Sequence, residues 1–420
     1  MGIADKDLTS TNRNNRVICL SFSKEHYESV IHNPKDFREY IERQIDLFPE
    51  LFPAGIKNGY KMKDGYLSKK LSIIIRRIEI CGTAYTIRPS FVIPHLAGLV
   101  DDVEKALFLR KFDVPFWALA YLFGKDHMYW YRVEQSIGRN SIVGTTVRKP
   151  DDIPVHLAAD EKHTLIKGDK TYVATTVGAG CILGAAVSQD AGEKALTDAY
   201  QTYKNEALCI KPEYTPETVN IDGWKATHNA WKSLFPAIAI ICCFLHVFIK
   251  IRDRAKNKHR DIFEKAASKL WNCYRAGSKT SFSQRVRRMI EWCRNNNAPS
   301  VIIDPVTKLR ENIGYYMVAY DHPEAIRTSN MLDRLMQRMD RHLFSTRYFH
   351  GSMDSAQLSI RGWALINNFA PFNPRTILKH NGYQTPAECL NKFKYHDNWL
   401  HNLYISASLG GYRRPPLNPL

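Results

Sequence analysis

The 420-residue chain has 59 Lys and Arg against 42 Asp and Glu, a formal charge of +17, and its length leaves room for two or three domains. Hydrophobic residues at 44 % and aromatic residues at 11 % exclude wholesale disorder. The positive balance favours a polyanionic partner, nucleic acid ahead of a membrane surface.

No apolar run follows the polar start Met1–Ser10, so no signal peptide is expected. Leu71 to Pro94 alternates enough for short strands, with Arg76, Arg77 and Arg88 interspersed. Between Asp113 and Gly138 the capping residues are explicit. Asp113 and Pro115 open a first helix, Gly124 stops it, Asp126 opens a second and Gly138 ends that one. Two short helices around a tight turn outline a helix-turn-helix over about 113–140. Its second helix carries Tyr129, Arg132 and Gln135, followed by Arg139, a set suited to groove and phosphate contacts. Residues 1–150 are therefore expected to form a mainly helical DNA-binding region.

From Ile153 strand and helix signals alternate. Ile153–Ala159 reads as a strand with Asp160 at its end. Lys170–Val177 and Cys181–Ser188 are two more strands around a Gly-rich turn, and Ala191–Leu208 is a helix. Thr218–Ile221 is a strand ending at Asp222, and a helix beginning near Gly223 leads to a buried strand over Ala237–Cys243. A hairpin followed by α/β alternation implies a mixed sheet with helices on its faces. Asp160 and Asp222 then stand at the ends of neighbouring strands, where a pair of carboxylates calls for Mg²⁺ or Mn²⁺. The apolar run Leu234–Ile249 is shorter than the roughly 20 residues of a membrane span. Gly178, Gly180 and Gly184 miss the dinucleotide fingerprint, and no phosphate-loop motif is present, so no nucleotide cofactor is expected. Nine scattered cysteines without a C-x-x-C pair exclude a disulfide framework and fit a reducing intracellular compartment.

Charge is unevenly placed. Residues 151–233 carry a net −4, whereas 234–312 carry +10. In the basic stretch, Ile262, Phe263, Ala266, Leu270 and Trp271 mark an amphipathic helix whose other faces bear lysines and arginines. Lys256, Lys258, Arg285, Arg287 and Arg288 are read as DNA-backbone contacts.

The order Leu157-Ala-Ala-Asp160, Val219-Asn-Ile-Asp222, Cys243-Phe-Leu-His246 and Arg327-Thr-Ser-Asn-Met-Leu-Asp333-Arg resembles a DDE/D transposase. More narrowly it resembles the MULE-like branch of insertion-sequence transposases, with its C-x-x-H signature. The resemblance spans about 151–370 and takes in Arg361-Gly-Trp-Ala-Leu-Ile-Asn-Asn-Phe-Ala-Pro371. It implies an RNase H-like core with a helical insertion between the second and third acids: 151–250 as its first part, 251–312 as the basic insertion, 313–375 as its last part and 376–420 as a C-terminal tail, Pro-rich and extended at its end. It implies Asp160, Asp222 and Asp333 as catalytic metal ligands for two Mg²⁺ or Mn²⁺ ions, with Glu324 the alternative third acid. The implied reaction is in-line cleavage and strand transfer on DNA carrying terminal inverted repeats. A homodimer or larger synaptic assembly, no membrane and a prokaryotic, nucleoid-associated cytoplasmic setting follow from the same resemblance. Family members mostly have Glu where this chain has Asp333. Cys243 and His246 lack a partner pair for zinc and read as a core cysteine with a hydrogen-bonded histidine. Two rivals remain: a transposase retired into DNA-binding regulation, and a metal-dependent nuclease on the same frame.

Overall fold

A computed structural model describes residues 14–412 apart from 70, 95, 97 and 329; the end of the expected Pro-rich tail, 413–420, lies outside the described residues. The N-terminal region is a mixed sheet packed with helices, where a mainly helical region was expected. Strands β1 (Val17–Leu20), β2 (Lys61–Ser68), β3 (Ile73–Ile80) and β4 (Thr83–Pro89) form a sheet in the order β1-β4-β3-β2, β1 parallel to β4 and the rest antiparallel. β2 is an edge strand of largely exposed polar residues, which is why periodicity did not reveal it. Helices α1 (Lys24–Ile31) and α2 (Pro34–Leu47) separate β1 from β2 and bury Tyr27, Phe37 and Ile41. After β4 come α3 (Val100–Arg110), α4 (Phe116–Phe123), α5 (His127–Gly138) and α6 (Ile142–Thr146). Asp126 caps α5 by accepting from the Met128 N–H at 2.7 Å, as its sequence position indicates.

The second sheet holds β5 (His156–Ile166), β6 (Asp169–Gly178), β7 (Cys181–Ser188), β8 (Thr218–Ile221) and β9 (Ala239–Cys242) in the order β7-β6-β5-β8-β9. The first three are antiparallel, and β8 and β9 then run parallel to β5. Helices α7 (Glu193–Ile210) and α8 (Lys225–Leu234) cover one face, burying Tyr200, Tyr203 and Trp231.

Beyond β9 the chain leaves the sheet as α9 (Phe244–Ala255), α10 (Arg260–Tyr274), α11 (Lys279–Asn295), α12 (Ser300–Glu311) and α13 (Ile313–Met317). These helices pack around their own core of Phe244, Leu270, Phe282, Val286 and Ile302. The chain returns as α14 (Asn330–Ser345) and α15 (Met353–Phe369). No helix among the described residues is long and apolar enough to cross a membrane; the run at Leu234–Ile249 divides between β9 and α9.

α15 is buried from Ser359 to Phe369, between β7 and α5. It approaches α5 so closely that a Cβ on Gly138 would stand 1.9 Å from the Leu358 carbonyl oxygen, and one on Gly362 would stand 2.4 Å from that of Glu134. Arg361, in the motif ending at Pro371, donates to the carbonyls of Gly138 and Asn140 and pairs with buried Glu206 of α7. That glutamate accepts the Ile142 and Val143 N–H groups at the start of α6.

Where a tail was expected, α16 (Pro374–Lys379), α17 (Pro386–Asn391) and α18 (Trp399–Ser406) fold back onto the body. Every residue of α18 is buried, and the turn after it meets β1, where the Cys19 N–H donates to Ser408 Oγ at 3.2 Å. One apolar core accordingly runs from Ile18 through Val173 and Trp363 to Leu409. The buried polar residues His401, Asn402 and Ser406 disguise α18 in the sequence.

Candidate active site

Four elements meet at one end of the second sheet. β5 carries Asp160 in mid-strand, not at its end, because the hairpin with β6 continues pairing to Ile166. The parallel register Ala158↔Asn220 sets Asp222, the residue after β8, beside Asp160. Buried Cys243 is the N-cap of α9, which starts at Phe244, so His246 lies in the first turn. α14 brings Asp333 back across 173 residues of sequence. Lys162 Nζ contacts Asp340 Oδ2 at 2.6 Å, and because 160/162 share a strand face and 333/340 a helix face, this ion pair lays α14 along β5.

Two further contacts steer the returning chain. Asn220 Nδ2 donates to the Ile326 carbonyl at 3.0 Å. Arg327 donates to the Tyr274 carbonyl and stacks over the rings of Tyr320 and Tyr274. The first ties the approach to α14 to the sheet, and the second ties it to the insertion.

The result is a cluster in which Asp160, Asp333 and His246 each present a ligand atom, all within 4.8 Å of one another. It is the one such group of His, Cys, Asp or Glu among the described residues. Burial pushes the Asp160 carboxyl up to about 6, Asp222 and Asp333 adding to the rise while His246 and the Glu161 N–H oppose it. For His246 burial acts downward, but Cys243 and the carboxylates of Asp160 and Asp222 prevail and lift it to about 9. Its Nδ1 is buried without a hydrogen-bond partner. Asp222 is turned toward the start of α8, its Oδ1 accepting from the Trp224 N–H at 2.7 Å. Glu324 is exposed and outside the cluster.

Sequence reasoning did not place two of these groups. His246 was read as a core histidine; only the direction of the first turn of α9 shows that it faces Asp160. Glu161, on the opposite face of β5, accepts from Tyr200 and Thr227 at 2.7 Å each, and burial pushes it up to about 7.

The residues expected on DNA fall into two sets. Arg76 donates to the Ile31 carbonyl, and Arg77 is paired with Asp64. Gln135 is spent on Ser355 of α15, Tyr129 is half-buried against Trp130, Arg285 binds Asn272, and Arg287 pairs with Glu291. Arg132, Arg139, Lys256, Lys258 and Arg288 are exposed. α5 thus gives one face to α15 and keeps Arg132 and Arg139 on the other.

Residues 161–360 match the family model described as Transposase, Mutator family. The match begins one residue after Asp160 and ends within α15. Over that segment the chain is similar to transposases of the Mutator family, which supports a transposase, a DNA-processing enzyme with DNA as its partner. A search of curated proteins finds no match.

Proposed function

We propose that the protein is a DDE/D transposase of the MULE-like branch, binding terminal inverted repeats and performing metal-dependent DNA cleavage and strand transfer on an RNase H-like core. The observation that carries this reading is the convergence of Asp160 and Asp333, from distant parts of the chain, beside His246. The sheet, with three antiparallel strands followed by two parallel ones and a helical excursion between the second and third acids, supports it further.

The donor set fits a divalent cation. Two carboxylates and an imidazole converge within 4.8 Å, and the buried Nδ1 of the histidine lacks a protein partner. Asp160, Asp333 and His246 would hold one ion, and the reading gives Asp222 with Asp160 to a second. A bound cation there supplies Lewis-acid stabilisation of charge at phosphorus and an activated hydroxyl at neutral pH. The chain's own part is placement. Asp333 is one methylene shorter than the glutamate usual in the family, and the Lys162–Asp340 pair holds α14 close enough to β5 for the shorter acid to reach. Water and a DNA 3′-hydroxyl are alternative nucleophiles at the same centre, so cleavage and joining need one set of residues.

The test is Mg²⁺- or Mn²⁺-dependent cleavage and strand transfer on DNA carrying the element's own ends. Wild type and Glu324→Ala are expected to yield joined products, and Asp333→Ala none. Cleavage without joining would favour the nuclease reading. End-specific binding without cleavage under either metal would leave a DNA-binding regulator.

A further inference from the structure

A groove of about 1000 Å³ begins at Asp222 and runs between α8 of the sheet and helices α9, α12 and α13 of the insertion. Four cations from three helices line it: Lys225, Lys250, Arg254 and Lys308. None makes a hydrogen bond or ion pair among the described residues. Cations on other faces of the same insertion do, as in Arg252–Asp253, Arg260–Glu264, Arg287–Glu291 and Lys279–Asp321. Lys256, Lys258 and Arg288, exposed elsewhere on the insertion, are not paired either, so what sets the four apart is their convergence on one groove.

Three aromatic rings line the same groove, those of His228, Tyr315 and Tyr316. Tyr315 is 40 % exposed and meets His228 edge to face, with ring centroids 5.3 Å apart. His228 Nε2 is buried and has no hydrogen-bond partner. Asp304 and Glu311 share the α12 wall and Asp222 stands at the groove's end, so the four cations exceed the three acids by one charge and affinity must also draw on the rings. Unpaired cations along a track with an aromatic platform are the chemistry of single-strand binding, in which phosphates meet the cations and bases stack. The volume is at the upper end of single-ligand sites, roughly 300–1,000 Å³, room for a short stretch of one strand.

We propose that this groove binds a single DNA strand at the point where it leaves the acid cluster, with a base against Tyr315 and phosphates on Lys250, Arg254 and Lys308. The identity of the strand as DNA rests on the transposase reading; the groove's preference for one strand over two does not.

Photocrosslinking tests it. Full-length protein in EDTA is irradiated with 5-iodouracil oligonucleotides of about eight nucleotides, single-stranded or as blunt duplex, and the adducts are mapped by mass spectrometry. Single strands are expected to crosslink within 313–317 and to bind at least tenfold tighter than duplex. Tyr315→Ala should lose the adduct and most of the affinity, with Tyr315→Phe retaining both. Arg254→Glu with Lys308→Glu should weaken binding at least tenfold and flatten the salt dependence by about 1.4 in log–log slope. Adducts elsewhere, equal binding of duplex, or unchanged affinity in Tyr315→Ala at an unchanged thermal midpoint would overturn the proposal. Because no metal is present, the outcome is independent of catalysis. Adducts at Tyr315 in a protein that never joins DNA would keep the groove and sink the transposase reading, and joining with adducts elsewhere would do the reverse.

Discussion

Asp160 sits where its charge is costly. Its carboxyl is raised to about 6 by burial and by Asp222 and Asp333, so the folded state holds a proton that the unfolded chain releases near 3.8. The associated stability is fully present below 3.8 and is lost as pH rises through 6. In EDTA at pH 7.5, Asp160→Asn is therefore expected to stabilise the protein, by up to about 3 kcal/mol, read from urea midpoints. Added Mn²⁺ should reverse the order, because a ligand that binds only the folded wild type stabilises it by mass action. A destabilised Asp160→Asn in EDTA would show that the carboxylate is structural. The three acids were legible as a sequence order with spacings of 62 and 111 residues. His246 was named with Cys243 in the C-x-x-H motif, but a histidine three residues into a helix carries no one-dimensional sign that it will face Asp160.

At the level of elements, the α5–α15 crossing explains two glycines that helix propensity disfavours. Gly138→Ala would gain about 1 kcal/mol from propensity alone. With a Cβ placed 1.9 Å from a backbone oxygen, a net loss of about 3 kcal/mol is expected instead, measured by equilibrium unfolding. A gain would mean that the helices are farther apart. Lys111, just after α3, donates to the carbonyls of Ala370 and Pro371 at 2.5 and 2.8 Å, and burial lowers its pKa to about 7. Between pH 7 and 10.5 the unfolded state holds this proton and the folded state does not, so stability from this group rises with pH. His246, raised to about 9, works against this rise over the same range, so Lys111→Met should make the change in urea midpoint from pH 7 to pH 9.5 less positive than in wild type; an unchanged difference would assign the rise to another group. Gly124 and Asp126 were legible as the stop of α4 and the cap of α5, but Asp113 does not cap α4: Pro115 stands at its N-cap without a side-chain bond, and Asp113 pairs with Arg341 instead. What local sequence could not carry is that α5 spends Gln135 on Ser355, 220 residues away.

On the scale of the whole molecule, β7, β8 and the mixed order of the second sheet were legible because β-branched and apolar runs alternate with one long amphipathic helix. The joining of N-terminal and C-terminal regions into one core was not, since its contacts cross nearly the full chain. Removal of residues 393–420 is expected to abolish the cooperative unfolding transition, because α18 and the turn at Ser408 complete the core around β1. A truncated protein with native near-ultraviolet circular dichroism would contradict that placement. The insertion, with its separate core, is the part where local unfolding can occur without loss of the sheet.

The seam between β1 and the turn after α18 also bears on synthesis. β1 must wait for a partner made 389 residues further along the chain, and pairings of such separation form slowly and late. A nascent chain will already have emitted every acid of the cluster while the helix that backs it, α15, still lacks α18. Products that stop before α18, though they contain every acid of the cluster, would reach no stable fold, so competence arrives only once α18 and the turn at Ser408 have been made.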